Sequence, residues 1–294
     1  MYRSFQIVSD FVEDLWGYDF LQGAADSRVS KIPELKRACH TMLKIIDDQR
    51  KPSTKELAED IYPLLEVSVP WAHLKRLGKL PVHFFEHYRQ RVKTEGNYYG
   101  SIFEIKMASL WLLSGCDIKF PEDYTEQGKQ IDFVFCLGAG QRIVGVECTS
   151  LRLTGILTRK KLKKAISEKA KKFRPEYINQ LSKKLGTQLD EKLVVVDITR
   201  DDYSKPSIPS DLERKDISSR LDDVVLVWTE DIMEGAQHSL RPKSKAIGSI
   251  CSMHFTPSIA TEIHVTGEGS VLFTRKYVEP EPTWGVWGNE ETRE

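Results

Sequence analysis

The chain has 294 residues, which is long enough for one large domain or two ordinary ones with a substantial buried core. Its 43 basic and 43 acidic residues cancel, and this balance excludes a global basic field, so any nucleic-acid contact must come from local patches. Five widely spaced cysteines without a CxxC pair argue against a disulfide framework and a zinc ribbon, so we expect reduced thiols. No apolar run approaches the about 18 residues of a membrane span, so we expect a cytoplasmic protein.

The first third of the chain has the apolar periodicity of helices. Four segments show it, at 5–21, 31–50, 54–65 and 71–93. We therefore expect residues 1–95 to form a helical accessory region.

Between about 95 and 200 the pattern alternates between helix and strand. A helix opens near Asn97 and ends before Gly115, a residue suited to a left-handed helix end. Strands are predicted at 117–120, 131–137 and 142–150, followed by a lysine-rich helix at 158–185, bent at Pro175, and a strand at 192–199. A turn containing two glycines joins the second and third strands as a hairpin. For the order helix, three strands, helix, strand, the natural packing is a mixed sheet flanked by helices.

Beyond Arg200 the chain is polar and then returns to strands. We predict strands at 224–229, 246–255, 259–265 and 270–274, and a loop rich in lysine, arginine and serine at 237–245. These short strands indicate an antiparallel, β-rich extension of the sheet.

Two acidic residues, Asp132 and Glu147, stand inside apolar runs on the two strands of the predicted hairpin. Because an unpaired buried carboxylate costs several kcal/mol, such acids are seldom left there without a cation. On neighbouring strands both lie within reach of one hard divalent ion, and Mg²⁺ takes one or two carboxylates together with water and phosphate oxygens. The alternative is a structural role, in which Asp132 caps a strand start and Glu147 pairs with a helix lysine.

A third acid, Glu104, lies on the helix before these strands. A helical wheel places it with Gly100, Met107, Ala108 and Trp111, so it shares the small and apolar face. Its position directly before the acidic hairpin favours a role in the same site. The alternative is a glutamate at the rim of the core beside the tryptophan.

A lysine on the following helix supplies the opposite charge. The apolar stripe of that helix comprises Leu162, Ala165, Ile166, Ala170 and Phe173. Lys169 is the only lysine in the middle of this stripe, whereas Lys172 lies at its edge, and an ammonium on a packed face needs an anionic partner. Glu147 is the expected partner, and the alternative is that Lys169 snorkels to water.

The same helix carries basic residues that could neutralise phosphates. They are Arg159, Lys160, Lys163, Lys164 and Lys172, and a second basic patch comprises Arg241, Lys243 and Lys245. The alternative is a solvated helix face. No zinc finger, helix-turn-helix or RNA-binding aromatic signature accompanies them, so sequence-specific readout is not indicated.

One histidine pair suggests a different chemistry. His83 and His87 are spaced i, i+4, and Glu86 completes the order His-x-x-Glu-His of inverted zincin peptidases. A third ligand would be needed, and Pro81 with its aromatic neighbours favours an amphipathic connector instead.

The acids, the lysine and the element order together resemble the PD-(D/E)xK nuclease superfamily over about residues 96–200. The most specific parts are the segment 100–104 with its Phe-Glu pair and the two spaced acids of the hairpin. One departure matters, because Thr149 stands where the usual Glu-x-Lys has its lysine. Some members carry the lysine on the following helix, and Lys169 occupies the position of such a migrated lysine.

The resemblance implies an α/β fold of the restriction-endonuclease-like kind, a mixed sheet flanked by helices, with an N-terminal helical region and a C-terminal β-rich extension. The nuclease domain would span 96–279, with its core at about 96–200 and its β extension at 223–275. The tail 280–294 would follow it.

The activity that the resemblance implies is Mg²⁺-dependent hydrolysis of phosphodiester bonds, in DNA rather than RNA, for restriction, defence against mobile DNA or repair, with Mn²⁺ able to substitute. Asp132, Glu147 and Glu104 would bind the metal, Lys169 would orient water or neutralise charge, and Thr149 and Lys172 could assist. The alternative on the same fold is a catalytically inactive module that binds nucleic acid or protein. The N-terminal region would contact a partner protein or a second copy of the chain.

Overall fold

The computed structural model describes residues 8, 10–14, 33–50, 56–61, 64, 68, 71–72, 74–76, 78–79, 91, 95–113, 116–121, 131–137, 142–151, 155–200, 204–209, 217–234, 237–247, 259–265 and 271–277. Its centre is an eight-stranded sheet whose strands follow one another in chain order. The first five strands form a mixed sheet flanked by helices, as the sequence predicted, and the last three extend it through antiparallel pairing.

The N-terminal region contains helix α1 (Pro33–Asp47) and a π-helix (Glu56–Ile61). The helix predicted at 31–50 is thus confirmed with shorter ends. Most of the helices predicted at 5–21 and 71–93 lies outside the described residues.

Buried side chains of this region join the core of the sheet. Phe11, Met42 and Trp71 are almost fully buried. They belong to the same apolar cluster as one face of the sheet, to which Phe133 and Phe135 contribute. The N-terminal helices therefore share a core with the sheet on that side.

Helix α2 (Glu95–Leu113) precedes three antiparallel strands, β1 (Asp117–Lys119), β2 (Phe133–Leu137) and β3 (Arg142–Ser150). Strand β3 has the predicted bounds, and the other three elements agree with the predictions to within two residues at each end. The predicted hairpin is confirmed, because β2 pairs with β3 from Phe133 opposite Val146 to Leu137 opposite Arg142.

The long lysine-rich helix is divided into three pieces, α3 (Arg159–Ala170), a 3₁₀ turn (Lys171–Phe173) and α4 (Pro175–Leu185). The bend predicted at Pro175 is a complete break. Proline lacks an N–H and disfavours the helical conformation in the residue before it, and Arg174 accordingly has an extended backbone with ψ 142°.

The next two strands, β4 (Glu191–Asp197) and β5 (Asp223–Glu234), continue the sheet with parallel pairing. Strand β4 is buried along 193–196, where the sequence is Leu-Val-Val-Val. Such a continuous apolar run is typical of a parallel strand covered on both faces.

One predicted loop is a strand. The segment predicted as a loop at 237–245 forms most of β6 (Gln237–Ala246), which returns antiparallel to β5 from Gln237 opposite Glu234 to Ala246 opposite Val225. The prediction was wrong because it relied on polar composition, whereas the backbone hydrogen bonds to β5 stabilise the strand. The period of a strand was visible, since the basic residues recur at every second position.

The sheet ends with β7 (Ile259–Val265) and β8 (Val271–Tyr277), which pair antiparallel to each other. Strand β7 has the predicted bounds, and β8 begins one residue later than predicted and extends further. Most of the strand predicted at 246–255 lies outside the described residues, as does the tail 280–294.

The sheet separates two apolar cores. One contains α2 and the N-terminal helices, and the other contains α3, α4 and the opposite face of the same strands. Side chains of β3 alternate between them, since Val146 and Cys148 belong to the first core and Ile143 to the second. Within the described residues the cysteines are free thiols, namely Cys39, Cys116, Cys136 and Cys148.

Candidate active site

Asp132 is held at the start of β2 by two contacts with β3. Its N–H donates to the Val146 carbonyl oxygen at 3.0 Å, and its Oδ2 accepts the Cys148 N–H at 2.6 Å. The first contact extends the hairpin ladder by one residue beyond Phe133, and the second fixes the carboxylate. Asp132 therefore lies beside Glu147, as the hairpin predicted.

Glu147 and Lys169 make the contact that the helical wheel predicted. Lys169 Nζ donates to Glu147 Oε2 at 2.9 Å and lies 3.8 Å from Asp132 Oδ2. The Glu147 side chain is fully buried, whereas that of Lys169 is 26% exposed. Helix α3 thus brings one ammonium to both acids of the hairpin, and the predicted partner of Lys169 is confirmed.

The charges of this cluster do not balance. Burial and then the neighbouring Asp132 raise the pKa of Glu147 to about 8, although Lys169 and Lys172 lower it. Burial disfavours the Lys169 ammonium, but Asp132 and Glu147 outweigh it and raise the pKa of Lys169 above its ordinary value. The charged form is favoured for Lys169 and disfavoured for Glu147, because the lysine has two acids beside it, whereas the two acids share this one lysine at contact distance.

The two carboxylates fit a divalent cation. Glu147 Oε1 is buried and has no hydrogen-bond partner among the described residues, and leaving such an atom unmatched costs about 1–3 kcal/mol. Mg²⁺ takes one or two protein carboxylates and completes its shell with water and substrate oxygens. In the part of the chain that the structure describes, no group of three or more His, Cys, Asp or Glu side chains is arranged to hold a metal ion.

Glu104 is buried, as predicted, on the helix that packs against the other face of the sheet. Its side chain is 2% exposed, and Arg91 Nη2 lies 2.9 Å from its Oε2. Helix α2 shares a core with Cys148, whose side chain points opposite to that of Glu147 along β3. The Glu104 charge still reaches the cluster, because it contributes to the raised pKa of Lys169.

Arg91, which contacts Glu104, is a residue that sequence patterns did not indicate. It lies outside α2, and no local period links it to Glu104, so the two meet only through tertiary packing. The available signal was the predicted burial of Glu104, because a buried acid requires a basic partner.

The two residues that were predicted to assist lie on the α3 side of the sheet. Thr149 is half-buried in β3, two positions beyond Glu147 and therefore on the same face. Lys172 is half-buried in the 3₁₀ turn, and its charge lowers the pKa of Glu147.

The predicted phosphate contacts differ in exposure. In α3, Lys160 and Lys164 are exposed, and Arg159 and Lys163 are half-buried. In the second patch Lys245 is exposed, and the side chains of its other two members lie outside the described residues. His83, Glu86 and His87 also lie outside the described residues.

Comparison with protein-family models and with curated proteins finds no match for this chain. Among the described residues, no helix combines the length and the apolar character that crossing a bilayer requires. The function is therefore inferred from the geometry of the cluster formed by Asp132, Glu147 and Lys169.

Proposed function

We propose that the chain is a Mg²⁺-dependent nuclease with the restriction-endonuclease-like fold of the PD-(D/E)xK superfamily, and that it hydrolyses phosphodiester bonds in DNA. The observation that carries this proposal is the cluster in which Lys169 Nζ lies 2.9 Å from Glu147 Oε2 and 3.8 Å from Asp132 Oδ2. The order α2, β1, β2, β3, α3, β4, with β3 and β4 parallel, supports it.

Asp132 and Glu147 would hold the cation. When bound, Mg²⁺ supplies a water molecule of lowered pKa and a positive charge beside the phosphate oxygens. The raised pKa of Glu147 and its buried Oε1 favour this assignment, because a cation replaces the proton that the buried carboxyl otherwise holds.

Lys169 would act as a charged donor and not as a base. Its raised pKa, caused by the two acids against the opposing effect of burial, keeps the proton on Nζ at neutral pH. Its partial exposure leaves the ammonium able to donate to an attacking water or to a phosphate oxygen. The Thr149 hydroxyl, on the same face of β3, would line this side of the site.

The basic side chains of α3 would contact the substrate backbone. The exposed Lys160 and Lys164 are spaced i, i+4, so they lie on one side of the helix. Arg159 and Lys163 lie next to them in the sequence. Contacts of this kind neutralise phosphates and make binding weaken as salt increases.

Cleavage assays test this proposal. Supercoiled DNA, linear DNA and RNA are incubated with the wild-type chain in Mg²⁺, Mn²⁺ or EDTA, beside Asp132→Ala, Lys169→Ala and the control Lys44→Ala, which changes an exposed lysine of α1. We expect cation-dependent cleavage that Asp132→Ala abolishes, that Lys169→Ala reduces at least about a hundredfold, and that the control retains. Full activity of Asp132→Ala would overturn the proposal.

A non-catalytic binding module is the second candidate. Thr149 favours it, because the strand lysine of the resemblance is missing and Lys169 is already engaged by Glu147. This candidate predicts salt-sensitive binding of nucleic acid, dependent on the basic residues of α3, without cleavage in either cation.

A further inference from the structure

Lys169 connects the two carboxylates of the candidate active site. Its Nζ donates to Glu147 Oε2 at 2.9 Å and lies 3.8 Å from Asp132 Oδ2, so one positive charge faces both acids of the hairpin. A single cation that bound both acids through these oxygens would lie between them. The Lys169 ammonium therefore occupies the space that a bridging cation requires.

The exposed fractions of the three side chains indicate from which side a cation would enter. Glu147 is fully buried, Asp132 is 11% exposed and Lys169 is 26% exposed. Mg²⁺ gives up its water reluctantly and keeps several water molecules when it binds protein carboxylates. It would therefore approach the two acids from the solvent side, where Lys169 lies.

The charges of the cluster favour an exchange of one cation for the other. With both acids ionised, the ammonium leaves the cluster with a net negative charge. Mg²⁺ bound beside an ammonium that stayed in place would make the net charge positive, in a site largely shielded from water, where repulsion between like charges is strong. Mg²⁺ in place of the ammonium balances the two acids.

We propose that the Lys169 ammonium is a built-in counter-ion that Mg²⁺ displaces, so that cation binding releases the lysine side chain from Glu147. The side chain has a long flexible stem and can carry its ammonium towards water. Once released, the ammonium is able to donate to a phosphate oxygen of the substrate. This exchange rests on the proposed function, because the same cation takes part, but it can be measured without nucleic acid.

A comparison of Mg²⁺ affinities tests the exchange. Mg²⁺ binding is followed by isothermal calorimetry at pH 8.5 in the wild-type chain, in Lys169→Met and in the control Lys171→Met, which changes an exposed lysine at the end of the same helix. Removal of the competing ammonium should tighten Mg²⁺ binding by at least about tenfold. The control should bind Mg²⁺ as the wild-type chain does. Equal or weaker binding by Lys169→Met would overturn the proposal.

Lysine acetylation supplies a second measurement, which needs no variant and decides the question even where Lys169→Met does not fold. The wild-type chain is treated briefly with an acetylating N-hydroxysuccinimide ester in EDTA and in saturating Mg²⁺, and the modified lysines are quantified by mass spectrometry. A lysine held against two acids reacts slowly, because only the uncharged amine attacks the ester. Mg²⁺ should therefore raise the acetylation rate of Lys169 several-fold and leave that of Lys171 unchanged. A Lys169 rate that Mg²⁺ leaves the same or lowers would mean that the ammonium stays in place, which contradicts the exchange.

The two proposals fail in different ways. A wild-type chain that cleaves DNA in Mg²⁺, with Lys169 equally unreactive in both conditions, overturns the exchange alone. A wild-type chain that shows no Mg²⁺ binding by calorimetry overturns the proposed function and the exchange together. Mg²⁺ binding that releases Lys169 without cleavage of nucleic acid would support the exchange and favour the non-catalytic binding module.

Discussion

Strands β3 and β4 lie side by side in the sheet and are both largely buried, yet they differ at the paired positions 147 and 194. Glu147 of β3 lies opposite Val194 of β4, and both side chains are fully buried. Valine is what packing alone favours at such a position, because it needs no counter-charge. Glu147 instead requires Lys169 from α3. Under the proposed function the acid is present for chemistry and not for stability, since an ion pair of this kind seldom stabilises more than apolar packing.

The largest expected difference between the two strands is in activity. Glu147→Gln keeps the side-chain size but removes one of the two carboxylates proposed to hold the cation, so cleavage in Mg²⁺ should fall about a thousandfold. Val194→Ala should retain cleavage and lose about 2 kcal/mol of unfolding free energy. Cleavage rates and urea unfolding of both variants make this measurement. A Glu147→Gln variant with the wild-type rate would remove the functional explanation for the buried acid.

Removal of Lys169 should lower the stability of the chain, because Glu147 of β3 then loses its partner. Lys169→Met leaves two acids facing each other, so we expect the unfolding free energy to fall by about 3 kcal/mol at pH 8 in EDTA, with part of it restored by Mg²⁺. Lys164→Met, on the exposed side of the same helix, should change it by less than about 0.5 kcal/mol. Urea unfolding with and without Mg²⁺ tests this, and equal losses in the two variants would contradict a pairing role for Lys169.

A tight contact of β3 offers a smaller change near the same acid. A Cβ on Gly145 would lie 2.8 Å from Leu189 Cδ1 and 2.9 Å from Ile131 Cδ1. Gly145→Ala should therefore lower the unfolding free energy by about 1–3 kcal/mol. Gly155→Ala is the control, because nothing lies within 4 Å of its Cβ position. The two variants are compared by thermal unfolding. Similar melting temperatures would show that the Leu189 and Ile131 side chains move away from the added Cβ without loss of stability.

The pH dependence of stability should also distinguish Glu147 of β3 from Val194 of β4. We expect the Tm of the wild-type chain to change by a few degrees with pH because of Glu147. The pKa of Glu147 is about 8 in the folded chain against an ordinary 4.5, so between these values the folded chain holds the proton that the unfolded chain has lost. The contribution of this group to stability is therefore present below about pH 4.5 and is lost as pH rises towards 8.

Melting temperatures in EDTA between pH 4.5 and 8.5 measure how steeply stability falls as pH rises. This slope should be unchanged in Val194→Ala and smaller in Glu147→Gln. Mg²⁺ should stabilise the wild-type chain more at pH 8.5 than at pH 5.5, because it binds the ionised carboxyl. A slope that persists in Glu147→Gln would belong to another group.

Sequence patterns predicted those parts of the fold that depend on the local spacing of apolar residues along one strand or helix. The bounds of β3 followed from its apolar run and the preceding turn, and the placement of Lys169 on the packed face followed from the 3.6-residue period of its helix. The same patterns were wrong about β6, because a polar strand is defined by its pairing with β5 and not by its own composition.

Local patterns were sufficient to indicate that two acids and a lysine would lie on packed faces, because the flanking apolar residues lie on the same strand or helix. Apart from the pairing of Glu147 with Lys169, which the sequence predicted, the partners of those charges depended on the packing of separate elements. The 3.8 Å between Lys169 and Asp132, and the placement of Glu104 against Arg91 on the other face of the sheet, follow from how the helices pack on β3. Electrostatic pairing acts through space over a few ångströms, and the distance between two charges becomes definite only when the chain has folded.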